Sequence, residues 1–350
     1  MSPLPPLPPF KRRTAFHCGG SDKVLSNHIR HVIREYLSWC CSVQRVKFGV
    51  QALQGMPDYA TLRRVVLECD RLGFDSAWVY DHLHFTYGPT LECWTVLSAL
   101  AEATHRIRVG PLVTCNIVLN PSLLAKMAAT VDVISNGRLN FGIGACWHEA
   151  EAVAYGMPFP TGRVRVDMLD EALSVMTKLW TEDEVTFKGA HYSVKKAACI
   201  PKPVQKPHPP ILIGGGGNKM LKLIAKYADA WNSGFVSAEG FKKEAARLQR
   251  ACKEVGRNHS EIENTFQSRV VVAENRAEAL KRAEKWREER KGTPEDPDWK
   301  FAIKGSPEDC TKTIETYVEA GIAHFTLLFA GTAELEPLRI FAERVMPSFR

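Results

Sequence analysis

Two adjacent titratable residues, Asp81 and His82, follow a short apolar run, Asp75–Tyr80, that has the pattern of a β-strand. A carboxylate beside an imidazole at a strand end can place a proton-transferring group over a bound ligand, because histidine titrates near neutral pH. General acid–base chemistry is one interpretation of this pair. The other interpretation is a structural histidine that is held by hydrogen bonds.

Four consecutive glycines, Gly214–Gly217, end a second strand-like run and precede a helical pattern. Backbone N–H groups at a helix N-terminus, with Lys219 close by in the sequence, form a cradle for an anion such as phosphate. The segment is not a P-loop, because it lacks the Gly-Lys-Ser/Thr ending. We predict phosphate binding here, and the alternative is a tight turn between strand and helix.

A glycine pair, Gly142 and Gly144, lies at the end of another strand-like run, where it allows a flat ligand to approach the backbone closely. Trp147 occupies the place of the third glycine of a dinucleotide-binding Gly-x-Gly-x-x-Gly motif, which argues against a Rossmann fold. The neighbouring His148, Glu149 and Glu151 resemble a metal cluster only superficially. No second group in the sequence supplies the remaining ligands, so no metal site is predicted.

Three further residues follow predicted strands. Trp231 and Phe235 can wall a pocket for a planar ring, although ordinary packing of rim aromatics explains them nearly as well. Cys115 has no His/Asn partners at a spacing that supports nucleophilic attack, and it is interpreted as a small buried apolar residue. The ten cysteines form no C-x-x-C pair, so reduced thiols and a cytoplasmic location are expected.

Short β-branched runs alternate with stretches of helical period from Val46 onward, and this rhythm predicts the elements that position these residues. The predicted strands are Val46–Gln51, Asp75–Tyr80, Ile107–Thr114, Arg138–Gly142, Ile211–Gly214, Asp229–Ser233, Phe266–Val272 and Ala323–Phe329. Eight strand–helix units are typical of an α/β protein with a (β/α)8 TIM barrel, in which the chemistry lies at the carboxyl ends of the strands.

Two insertions interrupt the repeat, after strands 4 and 7 of the predicted barrel. The first, Trp180–Pro210, contains a predicted hairpin, Val185–Phe187 with His191–Val194, followed by a proline-rich stretch. The second, Glu274–Lys300, has the composition of a charged helix and loop with a solvated face.

The chain has 350 residues and a formal charge of +7, from 46 Lys+Arg against 39 Asp+Glu. Residues 1–45 carry seven Lys+Arg and two Asp+Glu, so the rest of the chain is close to neutral. The sequence has no basic stripe interleaved with aromatic residues, so nucleic-acid binding is not predicted. No apolar run approaches the roughly 20 residues that a membrane span requires. Any anion binding that the protein needs is therefore expected to be local, at the glycine-rich turn Gly214–Gly217.

Residues 1–45 form a predicted N-terminal extension, which opens on the proline-rich stretch Ser2–Pro9. Three explanations remain open: a flexible tail, a start codon assigned too far upstream, and a targeting peptide. The catalytic domain is predicted to comprise residues 46–350.

Several motifs occur in the order found in one known family. They are WVYDH (Trp78–His82), NPSLLAKMAAT (Asn120–Thr130), GRLNFGIG (Gly137–Gly144), RVRVDMLDEALSVMTKLW (Arg163–Trp180), the stretch Pro201–Pro210 and ILIGGGG (Ile211–Gly217). The chain from Val46 onward resembles the bacterial-luciferase-like flavin-dependent oxidoreductases, and it is most similar to the branch that uses the deazaflavin coenzyme F420.

The resemblance implies a TIM barrel, often dimeric, with the cofactor ring at the mouth formed by the carboxyl ends of the strands. It implies a catalytic pair of Asp81 and His82, with His82 handling the proton, and a non-prolyl cis peptide at Leu112–Val113 behind the ring. The implied cofactor-binding residues are Asp81, Leu112, Val113, Thr114, Gly142, Gly144, Gly214, Gly215, Gly216 and Gly217.

One departure from the family pattern limits the mechanism. Trp147 stands where the sugar-phosphate dehydrogenases of this group carry a catalytic glutamate, so their proton-donor assignment does not transfer. The nearby Glu149 is not adopted as its substitute. A tryptophan at this position instead favours an apolar substrate pocket, which it would share with Trp231 and Phe235.

The leading hypothesis is an oxidoreductase that transfers a hydride between coenzyme F420 and a small organic substrate. The alternative is an FMN-dependent luciferase-like monooxygenase that uses O2 and reduced flavin. A non-catalytic flavin-binding protein is a third class. The expected partners are a small-molecule substrate, a second copy of the chain in a homodimer and a separate flavin or F420 reductase, and the sequence does not identify the substrate.

Overall fold

The computed structural model describes residues 45–52, 58–84 and 90–350. The predicted N-terminal extension lies outside these ranges apart from Arg45, and residues 85–89, which follow the Asp81–His82 loop, lie outside them as well. The boundary between the extension and the barrel at residue 46 therefore stays a prediction.

Twelve strands and the helices that follow them make up the described part of the chain. The strands are β1 (Lys47–Gln51), β2 (Ser76–Val79), β3 (Arg108–Pro111), β4 (Thr114–Cys115), β5 (Phe141–Gly144), β6 (Val185–Lys188), β7 (Ser193–Ala197), β8 (Ile211–Gly214), β9 (Ala230–Gly234), β10 (Glu263–Val272), β11 (Ile303–Gly305) and β12 (His324–Phe329). The helices are α1 (Tyr59–Leu72), α2 (Cys93–Ala103), α3 (Pro121–Ile134), α4 (Glu149–Ala154), α5 (Gly162–Thr181), α6 (Asn218–Tyr227), α7 (Ala238–Glu254), α8 (Arg276–Glu289), α9 (Pro297–Lys300), α10 (Pro307–Glu319) and α11 (Glu336–Arg344).

The main sheet is parallel and closes on itself. Its strands follow the order β3-β2-β1-β12-β10-β9-β8-β5-β4, with β11 added beside β10. A parallel bridge between Val109 and Leu139 joins the first strand of this order to the segment that leads into β5. The N–H group of Asn140 donates to the carbonyl of Val109 at 2.8 Å. The predicted TIM barrel is confirmed.

Local signals that the sequence carries set the helix boundaries. The Asp58 side chain accepts from the N–H of Thr61 at the start of α1, and Gly73 ends that helix at a φ of 91°, in the left-handed region that favours glycine. Ser306 and Asp309 form the capping box that starts α10. Each boundary carries a residue type that is common at that position of a helix.

Both predicted insertions are present. The first contains the antiparallel hairpin β6–β7, and the second contains α8 and α9. The short strand β11, which the sequence did not predict, follows the second insertion and pairs with β10. Arg269 of β10 attaches the second insertion to the barrel. Its Nε donates to Asp298 Oδ2 at 2.9 Å, and its guanidinium lies 4.3 Å from the Trp299 ring centre and 5.0 Å from that of Trp286.

The hydrophobic core lies between the barrel strands and the surrounding helices, where it includes the buried Phe48, Phe325 and Phe341. Inside the barrel the Trp78 indole fills the space that Gly49 leaves open, because a Cβ at Gly49 would lie 2.6 Å from Trp78 Nε1. Trp78 Nε1 donates to Ser76 Oγ at 2.7 Å. In the described residues, no helix combines the length and apolarity required to span a bilayer.

Arg138 stabilises the place where the barrel closes. Its Nη1 donates to the Ile107 carbonyl at 2.7 Å and to Thr104 Oγ1 at 2.9 Å, and its Nη2 donates to the carbonyls of Ala101 and Thr104. The guanidinium therefore caps the C-terminus of α2 and fixes the chain that enters β3. One side chain thus donates to four acceptors between the end of α2 and the start of β3.

We expect Arg138→Met to lower the free energy of unfolding by ~2–4 kcal/mol, because it keeps the apolar stem and leaves several half-buried acceptors without donors. Urea unfolding measures the change. The matched control is Arg250→Met at an exposed position of α7, for which we expect a change of ~0.5 kcal/mol or less. Equal effects of the two substitutions would contradict the capping role of Arg138.

Candidate functional site

A cavity of about 1070 Å3 opens where the carboxyl ends of the barrel strands meet. The predicted residues that line it are Asp81, His82, Leu112, Val113, Thr114, Gly144, Trp147, Gly214, Gly215, Gly216, Trp231 and Phe235. Two predicted residues, Gly142 and Gly217, do not line it. Gly142 lies beneath the floor, where a Cβ would meet the Pro111 carbonyl oxygen at 2.0 Å, and Gly217 begins α6.

His82 is held by Glu151, a residue that precedes the end of the short helix α4. The His82 Nδ1 atom lies 2.8 Å from Glu151 Oε2, and the two side chains are 14% and 10% exposed. The other carboxylate oxygen, Oε1, accepts from the backbone N–H groups of Leu83 and His84. One carboxylate thus fixes both the imidazole and the backbone that follows it.

Hydrogen bonding keeps Glu151 ionised in this buried place. Burial raises its pKa, but the N–H of His84 and the ring of His82 outweigh that effect and hold the pKa below its ordinary value. An ionised carboxylate only accepts hydrogen bonds, so the His82 Nδ1 carries the proton. Sequence reasoning considered Glu151 only as a false metal ligand, since nothing local shows that it reaches His82 from 69 positions away.

Asp81 behaves in the opposite way. It is buried, and this burial is the main reason that its pKa rises to about 7; the charges of Glu92 and Glu151 raise it further, whereas a hydrogen bond from the Cys115 N–H lowers it. That N–H lies 3.0 Å from Asp81 Oδ2. Two carboxyl groups of one site therefore differ in protonation near neutral pH.

Leu112, Val113 and Gly144 lie together in the cavity lining. The peptide between Leu112 and Val113 is cis, as the resemblance implies, and it lies between β3 and β4. A Cβ at Gly144 would lie 2.9 Å from the Val113 side chain, so the absence of a side chain there keeps Val113 in place.

The glycine-rich turn leads into α6 with an open helix N-terminus. Gly217 is the N-cap at a φ of −67°, makes no side-chain cap, and a Cβ added there meets nothing within 4 Å. Trp231 Nε1 donates to the carbonyl of Gly215 at 2.8 Å and so supports the turn. No side chain of the N-cap residue occupies the first N–H groups of α6, and phosphate binding at this turn stays a prediction.

The cation beside this turn is not the predicted one. Lys219 Nζ contacts the Asp167 carboxylate and donates to the carbonyl of Arg163 at 3.3 Å, so it is committed to α5 and not to the cradle. Arg247 of α7 instead donates to Asn218 Oδ1 at 2.7 Å, while its Nη1 pairs with both carboxylate oxygens of Glu244 at 2.7 Å. Sequence reasoning missed Arg247 because it comes from a different helix.

The three predicted pocket aromatics differ in what they contact. Trp147 is 68% exposed and lies edge-on to the His82 ring, with ring centres 5.7 Å apart. Phe235 lines the cavity, and its backbone adopts a φ of 57°. Trp231 is buried and stacks on Phe241, so its contacts agree with ordinary packing and with support of the glycine turn.

The interpretation of the cysteines as reduced thiols is wrong at one place. Cys115 and Cys146 form a disulfide with their Cα atoms 5.0 Å apart, and both residues line the cavity. They are separated by 31 positions, and the pairing of β4 with β5 brings them together, since Cys115 lies opposite Gly144. Sequence spacing alone does not reveal such a contact, so Cys115 was wrongly assigned as a lone buried apolar residue.

Known proteins resemble this chain over most of its length. The chain is 27% identical over 337 residues to the F420-dependent glucose-6-phosphate dehydrogenase of Amycolatopsis mediterranei. The matched region covers 87% of this chain and 99% of that protein. It is 26% identical over 339 residues to the protein of the same name from Kineococcus radiotolerans, covering 88% of this chain and 98% of the relative.

Solved structures share the fold. An F420-dependent secondary alcohol dehydrogenase, solved in complex with an F420-acetone adduct, gives a TM-score of 0.78 at 24% identity and covers 87% of this chain and 99% of its own. The monooxygenase RslO1 from Streptomyces bottropensis gives a TM-score of 0.75 at 22% identity, covering 87% and 100%.

The family model for luciferase-like monooxygenases matches residues 38–324, a span that contains every residue of the site described above. On this match, the chain belongs to the luciferase-like monooxygenase family.

Proposed function

We propose that this protein is an oxidoreductase that uses coenzyme F420 and transfers a hydride between the deazaflavin and a small organic substrate. The observation that carries the proposal is the His82–Glu151 pair at 2.8 Å in a cavity that is also lined by Gly144 and by Gly214–Gly216, the turn that leads into α6. The names of the F420-dependent relatives support this choice of cofactor.

The residues present fit the cofactor at two ends. The floor formed by the Leu112–Val113 peptide and Gly144 suits a planar ring, because added side-chain atoms at Gly144 would displace Val113. The turn that ends at Gly217 suits a phosphate, since the first N–H groups of α6 favour negative charge there, and Arg247 beside them is shared with Glu244. A bound deazaflavin supplies two-electron hydride chemistry, and the protein supplies orientation and electrostatics.

His82 handles the proton that accompanies the hydride. With Nδ1–H donated to the ionised Glu151, the Nε2 atom of the neutral imidazole is the proton acceptor. In the opposite direction of reaction the protonated ring returns that proton to the substrate oxygen. Asp81, with a pKa of about 7, lies next to His82 in the chain and keeps the negative charge of the mouth low.

The substrate is proposed to be a small molecule with an apolar part. Trp147 places an exposed indole beside the His82 ring, and Phe235 lines the same cavity. Such surfaces bind apolar groups and exclude water from the reacting atoms. Homodimerisation and a separate reductase partner stay predictions.

The cofactor is tested by titrating purified wild-type protein and two Gly217 variants with F420 and with FMN. We expect F420 to bind, Gly217→Ser to bind it nearly as wild type does, and Gly217→Asp to weaken it at least about tenfold through charge repulsion with the phosphate. Ser and Asp both cap helices well and find open space at this position, so neither variant should unfold more easily.

Two outcomes of this titration would contradict the proposal. Tight binding of FMN without binding of F420 would instead favour the FMN-dependent monooxygenase. Equal F420 affinity in all three proteins would remove the glycine turn from the cofactor site while leaving the choice of cofactor intact.

The proton-transfer role is tested with a panel of small alcohols, aldehydes and ketones that carry apolar groups. We expect His82→Ala to lower kcat at least about hundredfold and Glu151→Gln about tenfold, each with F420 affinity nearly unchanged. Glu149→Gln, at an exposed position of the same helix, is the matched control and should leave kcat unchanged. Loss of F420 binding in His82→Ala would show a structural histidine instead.

The raised pKa of Asp81 predicts a pH dependence of stability. Between its ordinary pKa of 3.8 and about 7, the folded protein retains a proton that the unfolded chain has released. Stability is therefore lost as the pH rises through this window, and we expect ~2–3 kcal/mol of loss from pH 5 to pH 8 that is absent in Asp81→Asn. Urea unfolding of both proteins at the two pH values measures the difference, and parallel changes would contradict the raised pKa.

A further inference from the structure

We propose that Cys115 and Cys146 form a redox-modification site in the wall of the cavity, and that its reduction by a dithiol weakens cofactor binding. The proposal rests on the proposed function, since it concerns the affinity of the same site. Three observations support it: the position of the disulfide in the cavity wall, its greater accessibility than that of the buried free cysteines, and the residues that it joins.

The disulfide is reachable from the cavity. Cys115 and Cys146 are both half-buried and line the cavity wall, so a small dithiol that enters the mouth meets their sulfur atoms. They lie at the carboxyl ends of neighbouring strands, where the register of β4 and β5 sets a Cα separation of 5.0 Å. This separation is within the range of an ordinary disulfide.

The other described cysteines are poor competitors for such chemistry. Burial raises the pKa of each of these thiols, so their reactive thiolate forms are scarce at neutral pH. They are free and buried: Cys69, Cys93, Cys199, Cys252 and Cys310. In the described part of the chain, exchange is therefore selective for the cavity pair.

The disulfide joins two halves of the proton-transfer site. On one side, the N–H of Cys115 donates to Asp81 Oδ2 at 3.0 Å. On the other side, Cys146 directly precedes Trp147 and the helix that carries Glu151. The covalent link thus fixes the distance between the strand that supports Asp81 and the loop that delivers the carboxylate to His82.

Opening the disulfide releases a backbone that is held in a costly conformation. Cys146 has a φ of 66°, in the left-handed region that residues with a Cβ rarely adopt. Without the link to Cys115, relaxation of Cys146 moves the segment from Trp147 to Glu151. The cavity wall then loses its shape, and His82 loses its partner.

The redox step is an ordinary thiol–disulfide exchange. A thiolate of the dithiol attacks one sulfur of the pair, and the S–S bond breaks to give a mixed disulfide and one free cysteine thiolate. The second thiol of the reagent then displaces the other cysteine. Two electrons and two protons pass in total from the dithiol, which becomes a cyclic disulfide, to Cys115 and Cys146, and an oxidised dithiol reverses the step.

The test compares full-length protein before and after incubation with dithiothreitol under native conditions. Thiols are alkylated with iodoacetamide and assigned by peptide mass mapping, and F420 affinity is measured on the same samples. We expect Cys115 and Cys146 to become alkylated only after reduction, the five buried cysteines to stay unmodified, and the Kd for F420 to rise at least about fivefold and return on reoxidation.

Reciprocity gives a second readout that needs no turnover. If reduction weakens F420 binding, saturating F420 must oppose reduction by the same factor, so the cofactor should lower the fraction of the pair that is reduced, and then alkylated, at equilibrium with a dithiothreitol redox buffer. The double variant Cys115→Ser/Cys146→Ser should show the weak affinity with or without dithiothreitol. Cys252→Ser, which changes a remote buried cysteine, is the matched control and should respond as wild type does.

Each contrary result has a distinct meaning. Alkylation of both cysteines in untreated protein, or an unchanged Kd after their reduction, would overturn the modification site while leaving the proposed function in place. Failure of F420 to bind either redox form would overturn the proposed function, and with it the claim that reduction acts on the affinity for F420.

Discussion

The carboxylate of Glu151 is the interaction on which the mouth of the barrel depends. It receives the ring of His82 on one oxygen and two backbone N–H groups on the other, so a loop from one strand is fixed to the end of another. An apolar residue at this place would leave those donors unsatisfied in a buried setting. The raised pKa of Asp81 follows in part from the same charge, since two ionised carboxylates so close together repel.

The residues that sequence reasoning found are those with local signatures. Asp81 and His82 follow a strand directly, and the glycine turn follows another, so the barrel rule alone brings them to one edge. What it missed depends on contacts between distant segments. Glu151 reaches His82 across 69 positions, and Cys146 reaches Cys115 across 31, distances at which periodicity and capping carry no information.

The position of a charged residue in the sequence also did not identify its contacts. Lys219 follows the glycine turn, yet its side chain pairs with α5, while the cation beside the cradle is Arg247 from α7. The direction in which a side chain leaves its helix decides this, and that direction depends on which neighbour packs there. Trp231 illustrates the same point, because its indole N–H supports the turn from below although its position suits a pocket wall equally well.

The attachment of the second insertion to the barrel has an evolutionary consequence. Arg269 leaves β10 at the cavity, pairs with Asp298 and stacks against Trp286 and Trp299, so much of the outer wall is anchored through one guanidinium. Loops attached in this way diverge at low cost in stability, since most positions of Glu274–Lys300 are exposed. Descendants of such a barrel can exchange the wall, and with it the range of molecules they accept, while the floor beneath is inherited unaltered.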